Sequence, residues 1–201
     1  MFCRKIFLFL MTTIYAQGFS MESEIKLPKS ITFQKLTPED LPMLLAWFKE
    51  PHVMKWWPYP EPEEKFFEQF LERCRLKDNT FAFIVKLDDV PFGYIQYYHW
   101  KQDEEKTGGT WVPSDLPATT VGIDQFIGDP SYLGKGYGTH MVKEFIAHIT
   151  QVCEPQITTI ILDPKPDNIV AIKCYEKVGF KKIGLVDAPW GPALFMRYDA
   201  K

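Results

Sequence analysis

Two stretches decide the fold of this chain: residues 134–139 read GKGYGT, and residues 167–180 read DNIVAIKCYEKVGF. The first comes after a strand-like run over 121–127 and precedes an apolar helical stripe. A glycine turn between a strand and a helix presents unpaired backbone N–H groups at the positive end of the helix dipole, which predicts an anion site. The spacing fits neither the Walker loop nor the dinucleotide fingerprint, because the glycines simply alternate.

The rest of the chain predicts a single α/β domain around these stretches. Strand-like runs occupy 31–36, 81–87, 92–98, 121–127, 157–162, 180–186 and 193–198. Helices are predicted after Thr37, over about 63–76, after the glycine turn, and from a cap at Asp167 or Asn168 to Gly179. Residues 51–62 are interpreted as a loop, 88–91 as a hairpin turn and 99–118 as a long irregular loop.

Composition and charge are those of an ordinary globular protein. The chain has 201 residues, of which 46% are hydrophobic, and this excludes a disordered, collagen-like or coiled-coil protein. The formal net charge of −3 favours no nucleic-acid partner. The four histidines form no ligand cluster in the sequence, so we expect no metal.

The first twenty residues differ in character from the rest of the chain. Arg4 and Lys5 precede an apolar run in the pattern of a secretion signal, and Met21 then opens a polar stretch. Residues 1–20 are interpreted either as a leader or as an extension upstream of a start at Met21, and we expect the domain to occupy residues 21–201. The apolar run is far shorter than the roughly 20 residues of a membrane span, so we expect no membrane association.

The cysteines bear on the compartment. Apart from Cys3 there are three, Cys74, Cys153 and Cys174, an odd number without metal-type spacing. Such cysteines are typical of thiols in a reducing compartment, and we expect a cytoplasmic protein.

The two opening stretches together resemble the GCN5-related N-acetyltransferase (GNAT) superfamily, whose acetyl-CoA site is made of these two elements. Where the family's glycine turn begins with Arg or Gln, this chain has Leu133. The resemblance implies a GNAT fold, with a mixed, mostly antiparallel central sheet flanked by helices, and acetyl-CoA as co-substrate. The cofactor-binding residues it implies are Phe126, Ile127, Gly134, Lys135, Gly136, Gly138, Thr139, Asn168 and Tyr175.

Four shorter segments carry a closer likeness: Trp56-Trp57, GIDQFI at 122–127, LDP at 162–164 and GPA at 191–193. In combination they are similar to the aminoglycoside 6'-N-acetyltransferases, which acetylate a primary amine on a sugar ring. The likeness implies an antibiotic acceptor of the kanamycin, tobramycin or amikacin type, and a monomer or homodimer. Family members often carry Asp before Gly-Pro-Ala, whereas this chain has Trp190, so we expect a different substrate rim there.

Two residues are candidates for the chemistry. A carboxylate beside the amine can accept its proton, and Asp124 lies in the middle of a strand, where Asp is uncommon. The matching Asp of the family is regarded as the general base. Tyr175 matches a family tyrosine near the cofactor sulfur, where a phenol can donate a proton to the departing thiolate. We expect a backbone N–H near Phe126 to hold the oxyanion, with direct transfer in a ternary complex.

Substrate binding is expected to use acids and aromatic rings, because aminoglycosides are polycations. Residues 101–124 hold five acids against two lysines, and from this stretch Glu104 and Asp115 are candidates, although a solvated face explains such a run equally well. Trp57 and Asp163 match family positions that contact the antibiotic. Two other functions stay open: acetylation of another small amine, such as a siderophore precursor or polyamine, and an acyl-CoA-binding sensor without turnover.

Overall fold

The computed structural model describes residues 30–59, 61–100 and 116–200. Seven strands form one sheet in the spatial order β1-β2-β3-β4-β5-β7-β6. The strands are β1 (Ile31–Lys35), β2 (Thr80–Leu87), β3 (Val90–His99), β4 (Thr120–Ile127), β5 (Thr159–Leu162), β6 (Lys181–Ala188) and β7 (Gly191–Asp199). The helices are α1 (Leu41–Phe48), α2 (Pro51–Met54), α3 (Glu63–Cys74), α4 (Tyr137–His148), which continues as a π-helical turn over Ile149–Cys153, and α5 (Ile169–Val178).

Within these ranges, only the β4–β5 pairing is parallel and all the others are antiparallel. The prediction of a single α/β domain with a mixed, mostly antiparallel sheet flanked by helices is therefore confirmed. The strand and helix order is also as predicted, apart from α2.

Two apolar cores cover the two faces of the sheet. On one face α1 and α3 pack over β2 and β3, with Phe48, Phe66 and Tyr94 fully buried. On the other face α4 lays the predicted stripe, including Phe145, on β2, β3 and β4. Residues that alternate along a strand point to opposite faces, so neighbouring residues of β4 serve different cores. This alternation decides which site residues meet.

The parallel pair β4–β5 is short. It runs only from Thr120 opposite Thr159 to Gly122 opposite Ile161, whereas β4 stays paired with β3 as far as Ile127. Beyond Gly122 the edge of β4 that faces β5 therefore lacks a strand partner, and the sheet splits. We call the gap between β4 and β5 beyond this point the strand split.

Hydrogen-bond alternation shows which backbone groups face the strand split. Gly128 N–H donates to the carbonyl of Phe92 at 2.8 Å, and in an antiparallel ladder such pairs recur at every second residue. The backbone groups of Asp124 and Phe126 are therefore directed at β3. Those of Gln125 and the N–H of Ile127 are directed at the strand split, whereas the Ile127 carbonyl accepts a hydrogen bond from His52 Nε2 at 2.8 Å.

Two details differ from the sequence-based prediction. The segment interpreted as a loop over 51–62 begins with helix α2, whose four residues are too few to show helical periodicity. The hairpin predicted at 88–91 is present, but its turn consists of Asp88 and Asp89 alone, with φ values of 50° and 65°. Both residues are left-handed, as in the two-residue turns that match the strand twist.

Candidate active site

The glycine turn ends in the N-terminus of α4, beside the strand split. Gly134 and Gly136 have φ values of 70° and 85°, and a Cβ at either position would meet no atom within 4 Å. Gly136 is the N-cap residue, and no side chain caps this helix. The first backbone N–H groups of α4 therefore have no intrahelical acceptor, as an anion site requires. Lys135 is exposed between the two glycines.

The second stretch forms α5, which is held against α4. Asn168 caps it by accepting a hydrogen bond from the Ala171 N–H at 3.3 Å, and Gly179 ends it with φ of 118°. The Thr139 hydroxyl donates to the Cys174 sulfur at 3.4 Å, which ties the two helices together. Gly138 lies at the same crossing, where a Cβ would come within 3.7 Å of that sulfur.

Tyr175 projects from α5 toward β4. Its hydroxyl accepts a hydrogen bond from Gln125 Nε2 at 2.6 Å. Burial raises the pKa of Tyr175 well above its usual range, so the phenol keeps its proton at neutral pH. Because its oxygen accepts from Gln125, the O–H proton remains able to donate elsewhere.

Asp124 lies on the opposite face of the sheet from Tyr175. One carboxylate oxygen accepts from Gln96 Nε2 at 2.8 Å across the β3–β4 pair. Burial raises the pKa of Asp124, while the Gln96 hydrogen bond and the positive charge of Arg73 lower it in part. A carboxylate with a raised pKa is a better proton acceptor near neutral pH.

A second carboxylate, Asp163, comes directly after β5. Burial and the nearby charge of Asp124 raise its pKa to about 8, although the Trp190 indole lowers it by donating to the carboxylate at 3.1 Å. Two acids that share a partly dehydrated site attract a cationic partner, because a positive charge between them offsets their repulsion. Beside them Trp190 and Pro192, with residues 165–167, line a cavity of about 300 Å³.

Aromatic rings form the wall beside Asp124. Trp57 packs edge-on against Phe48 and Phe126, at centroid distances of 5.5 and 5.7 Å, and stays partly exposed. Phe126 therefore places its side chain in the aromatic core on the Asp124 face and its backbone toward β3. The side chain of Ile127 packs on the opposite face, against the core beneath α4.

Two candidate residues, Glu104 and Asp115, lie outside the described residues. Within the described ranges, no three His, Cys, Asp or Glu side chains are grouped so as to hold a metal ion. None of the described helices has the length and apolarity needed to span a membrane.

Three site residues were missed by the sequence analysis: Arg73, Gln96 and Gln125. Gln125 neighbours Asp124 in the GIDQFI segment, so its position in the motif was the available signal. Arg73 and Gln96 approach Asp124 through the packing of α3 on β3 and through the β3–β4 register. No local pattern encodes either contact.

The arrangement suits acyl transfer to an amine. The Asp124 carboxylate lies on one face of the split sheet and the Tyr175 phenol on the other, beside the uncapped N-terminus of α4 with Gly134 and Gly136, which we call the cradle. Residues 37–188 match the acetyltransferase (GNAT) domain family, and the chain belongs to that family. Among its relatives is the aminoglycoside N(6')-acetyltransferase type 1 of Klebsiella pneumoniae, which is 34% identical over 170 residues, 83% of this chain and 82% of that protein.

Two further comparisons are informative. The crystal structure of the aminoglycoside acetyltransferase AAC(6')-Ib in complex with coenzyme A and kanamycin matches with a TM-score of 0.73 and 33% identity, over 85% of this chain and 95% of that one. An N-hydroxyputrescine acetyltransferase of Acinetobacter baumannii is 32% identical over 68 residues, 34% of this chain and 32% of that protein.

Proposed function

We propose that the chain transfers the acetyl group of acetyl-CoA to the 6'-amino group of aminoglycoside antibiotics by direct attack in a ternary complex, and thereby confers resistance. The observation that carries the proposal is the placement of Asp124 and Tyr175 on opposite faces of the sheet at the strand split. The relatives named above, an aminoglycoside N(6')-acetyltransferase and a structure with coenzyme A and kanamycin, support the same reaction.

The site fits the thioester substrate. The uncapped N-terminus of α4 offers N–H groups to phosphate, and the split offers the backbone groups of Gln125 and the N–H of Ile127 to an extended arm that contains amides. The Gln125 side-chain carbonyl oxygen is buried and accepts no hydrogen bond from the described residues, so it also suits an amide N–H. When bound, acetyl-CoA supplies the acetyl group as a thioester.

Transfer forms a C–N bond and breaks a C–S bond, so the protein has to accept one proton and deliver another. Asp124 is proposed to accept the amine proton, directly or through one water, with the oxygen that Gln96 leaves free. Tyr175 is proposed to give its proton to the departing sulfur, while the Gln125 amide holds the phenol oxygen. The donor to the developing oxyanion is then the N–H of Gln125 or Ile127, because that of Phe126 is directed at β3.

The aminoglycoside is proposed to lie on the Asp124 face. Asp163 would bind a second ammonium group, and Trp57 would cover an apolar ring face beside Phe126. No metal or nucleic acid is assigned a part. Because acetyl-CoA is made and used there, the cytoplasm is the proposed location, and the three described cysteines are all free thiols, as a reducing compartment favours.

A second acceptor class is a small aliphatic amine. The partial match to an N-hydroxyputrescine acetyltransferase favours it, and paired carboxylates would suit a diamine as well as an aminoglycoside. Of these two relatives, the aminoglycoside enzyme matches over 82% of its length and the N-hydroxyputrescine enzyme over 32%. The aminoglycoside acceptor is preferred for this reason.

The test is to mix the purified protein with acetyl-CoA and kanamycin and to follow the release of free CoA thiol. A matched aminoglycoside with a hydroxyl in place of the 6'-amine serves as the control, and putrescine with its N-hydroxy derivative tests the second class. With acetyl-CoA present, we expect thiol release when kanamycin is the acceptor and none with the other acceptors. Release with the diamines but not with kanamycin would contradict the proposal. So would the absence of release with every acceptor tested, from protein that is shown to bind acetyl-CoA.

Asp124→Asn tests the proton acceptor in the same assay. An amide cannot accept the proton, so kcat should fall on the order of a hundredfold or more while acetyl-CoA binding is retained. Asp187→Asn, an identical change at an exposed position of β6, is the control and should leave turnover unchanged. Full turnover of Asp124→Asn would contradict the role given to Asp124.

A further inference from the structure

A chain of polar side chains runs from α3 across β3 to Asp124. Arg73 Nε donates to Asp78 at 3.0 Å, and Arg73 Nη1 donates to Gln96 Oε1 at 3.0 Å. The Tyr94 hydroxyl donates to the same Gln96 oxygen at 2.6 Å, and Gln96 Nε2 donates to Asp124 at 2.8 Å. Arg73 has a side chain that is only 10% exposed, and both Tyr94 and Gln96 are buried.

This series of hydrogen bonds fixes the orientation of the Gln96 side-chain amide. Two donors converge on Gln96 Oε1, one of them a guanidinium that cannot lose its proton. Reversing the amide would place its NH₂ group against both donors and its oxygen against the Asp124 carboxylate. The amide is therefore held with its N–H toward Asp124, and Asp78 in turn fixes the position of Arg73.

Resting on the proposed function, we infer that Arg73 and Gln96 are positioning residues for the proton acceptor: they hold one oxygen of Asp124 and leave the other free for the amine of the substrate. Arg73 does more than pack α3: a buried charge needs hydrogen-bonding partners to offset its burial cost, and one of the partners it has is Gln96 on β3. The partners it finds lead to the reacting group.

The other titratable groups near Asp124 bring no charge while it titrates. Asp163, at the end of β5, has a pKa of about 8 and is still protonated, and Tyr94 and Tyr175 are neutral phenols on β3 and α5. Asp78 offsets part of the Arg73 charge. Among these groups, Arg73 and the Gln96 N–H favour the ionised form of Asp124, so removing either should raise its pKa.

The test compares Arg73→Met, Arg73→Lys and Gln96→Met with the wild-type protein. The rate constant kcat/KM for kanamycin should rise with pH as the proton acceptor ionises, and this acidic limb should move up by about one pH unit in Arg73→Met and Gln96→Met. Arg73→Lys keeps the positive charge but loses the planar guanidinium that donates to both Asp78 and Gln96, so its shift of the acidic limb should be smaller. Arg197→Met removes another paired arginine, whose partner is Asp199 on β7 and not a residue bonded to Asp124, and should leave the limb unchanged.

A second readout does not depend on turnover. The ¹³C resonance of the Asp124 carboxyl carbon, assigned by its absence from Asp124→Asn, reports the titration directly, and thermal unfolding reports stability. If carboxyl titration shifts as expected in a protein that acetylates no aminoglycoside, the acceptor assignment fails while the positioning role stands. If the titration and the pH profile of Arg73→Met and Gln96→Met match the wild type, and lost activity merely tracks lost stability, the positioning role is wrong.

Discussion

At the scale of single residues, the proposed acceptor and donor of the two protons of the reaction are kept apart. Asp124 and Tyr175 lie on different faces of the sheet, and each is held by its own glutamine, Gln96 or Gln125. Burial raises the pKa of both groups, but with opposite consequences. The carboxyl group becomes a stronger base, whereas the phenol is kept protonated and ready to donate.

Tyr175→Phe tests the donor. The ring keeps its packing against Phe180, at a centroid distance of 6.0 Å, and only the hydroxyl is lost. We expect kcat to fall by about tenfold to a hundredfold, at the low end of general-acid contributions, with little change in KM for either substrate. Steady-state kinetics at several pH values provides the measurement. An unchanged kcat would leave Tyr175 a packing residue.

The carboxyl group of Asp163, which is proposed to bind an ammonium group of the substrate, is expected to lower the stability of the fold as the pH rises. Its pKa in the folded protein, about 8, lies above the ordinary value of 3.8. Between these values the folded state holds a proton that the unfolded chain has released, so this contribution to stability is complete below pH 4 and is lost as the pH rises toward 8. Asp163→Asn removes that loss.

The prediction is that Asp163→Asn raises the melting temperature at pH 8 relative to the wild type by about 2–4 °C, the effect of roughly 1 kcal/mol in a chain of this size. The gain should shrink toward pH 5, and the KM for kanamycin should increase. Calorimetric scans at the two pH values test the first part. A gain independent of pH would show that the carboxyl group is not the cause.

At the scale of elements, the site depends on the segment that connects β4 to α4. The strand loses its β5 partner after Gly122, and fifteen residues later the chain begins a helix whose N-terminus carries no cap. The split and the cradle are therefore neighbours in the sequence as well as in space. The turn between them can close only because Gly134 and Gly136 adopt left-handed conformations.

Gly136→Ala tests the cradle. A Cβ at φ 85° meets no protein atom within 4 Å, but it strains the backbone by about 1 kcal/mol and reaches into the space assigned to phosphate. We expect KM for acetyl-CoA to rise by about tenfold with little change in KM for kanamycin. Gly191→Ala carries comparable strain, at φ 107° with equally open space, and should leave KM for acetyl-CoA unchanged. Equal effects from both variants would contradict the cradle.

The elements also show how far sequence reasoning reaches. The β4–α4 and β5–α5 units could be predicted because their signals are local: a strand, glycines or an Asn cap, then a helical stripe. The link from Arg73 through Gln96 to Asp124 could not, because it depends on the packing of α3 and on the register of two strands. The short helix α2 could not be predicted for a different reason: its four residues are too few to show helical periodicity.

At the scale of the whole molecule, the sheet separates the two proposed substrate sites. The cradle, Gln125 and Tyr175 belong to the α4–α5 side, whereas Asp124 and Trp57 belong to the α1–α3 side. The strand split is where these two sides connect. In the proposed reaction both substrates are bound together, and the amine reaches the acetyl group through the gap.

This geometry removes the need for an acetylated protein intermediate. Cys174, the thiol next to Tyr175 in α5, is a poor candidate for an acyl carrier, because burial raises its pKa by more than the hydrogen bond from the Thr139 hydroxyl lowers it. A thiol that stays protonated is a weak nucleophile. Direct transfer should therefore require kanamycin and acetyl-CoA at the same time.

The expected outcome is an intersecting pattern in two-substrate kinetics and an unchanged protein mass after incubation with acetyl-CoA alone. Cys174→Ser should retain turnover within about threefold, because the serine hydroxyl can still accept the hydrogen bond from Thr139. Intact-protein mass spectrometry decides between the two routes. An acetyl group found on the wild-type chain but not on Cys174→Ser, together with parallel kinetic lines, would replace direct transfer by a two-step route through that thiol.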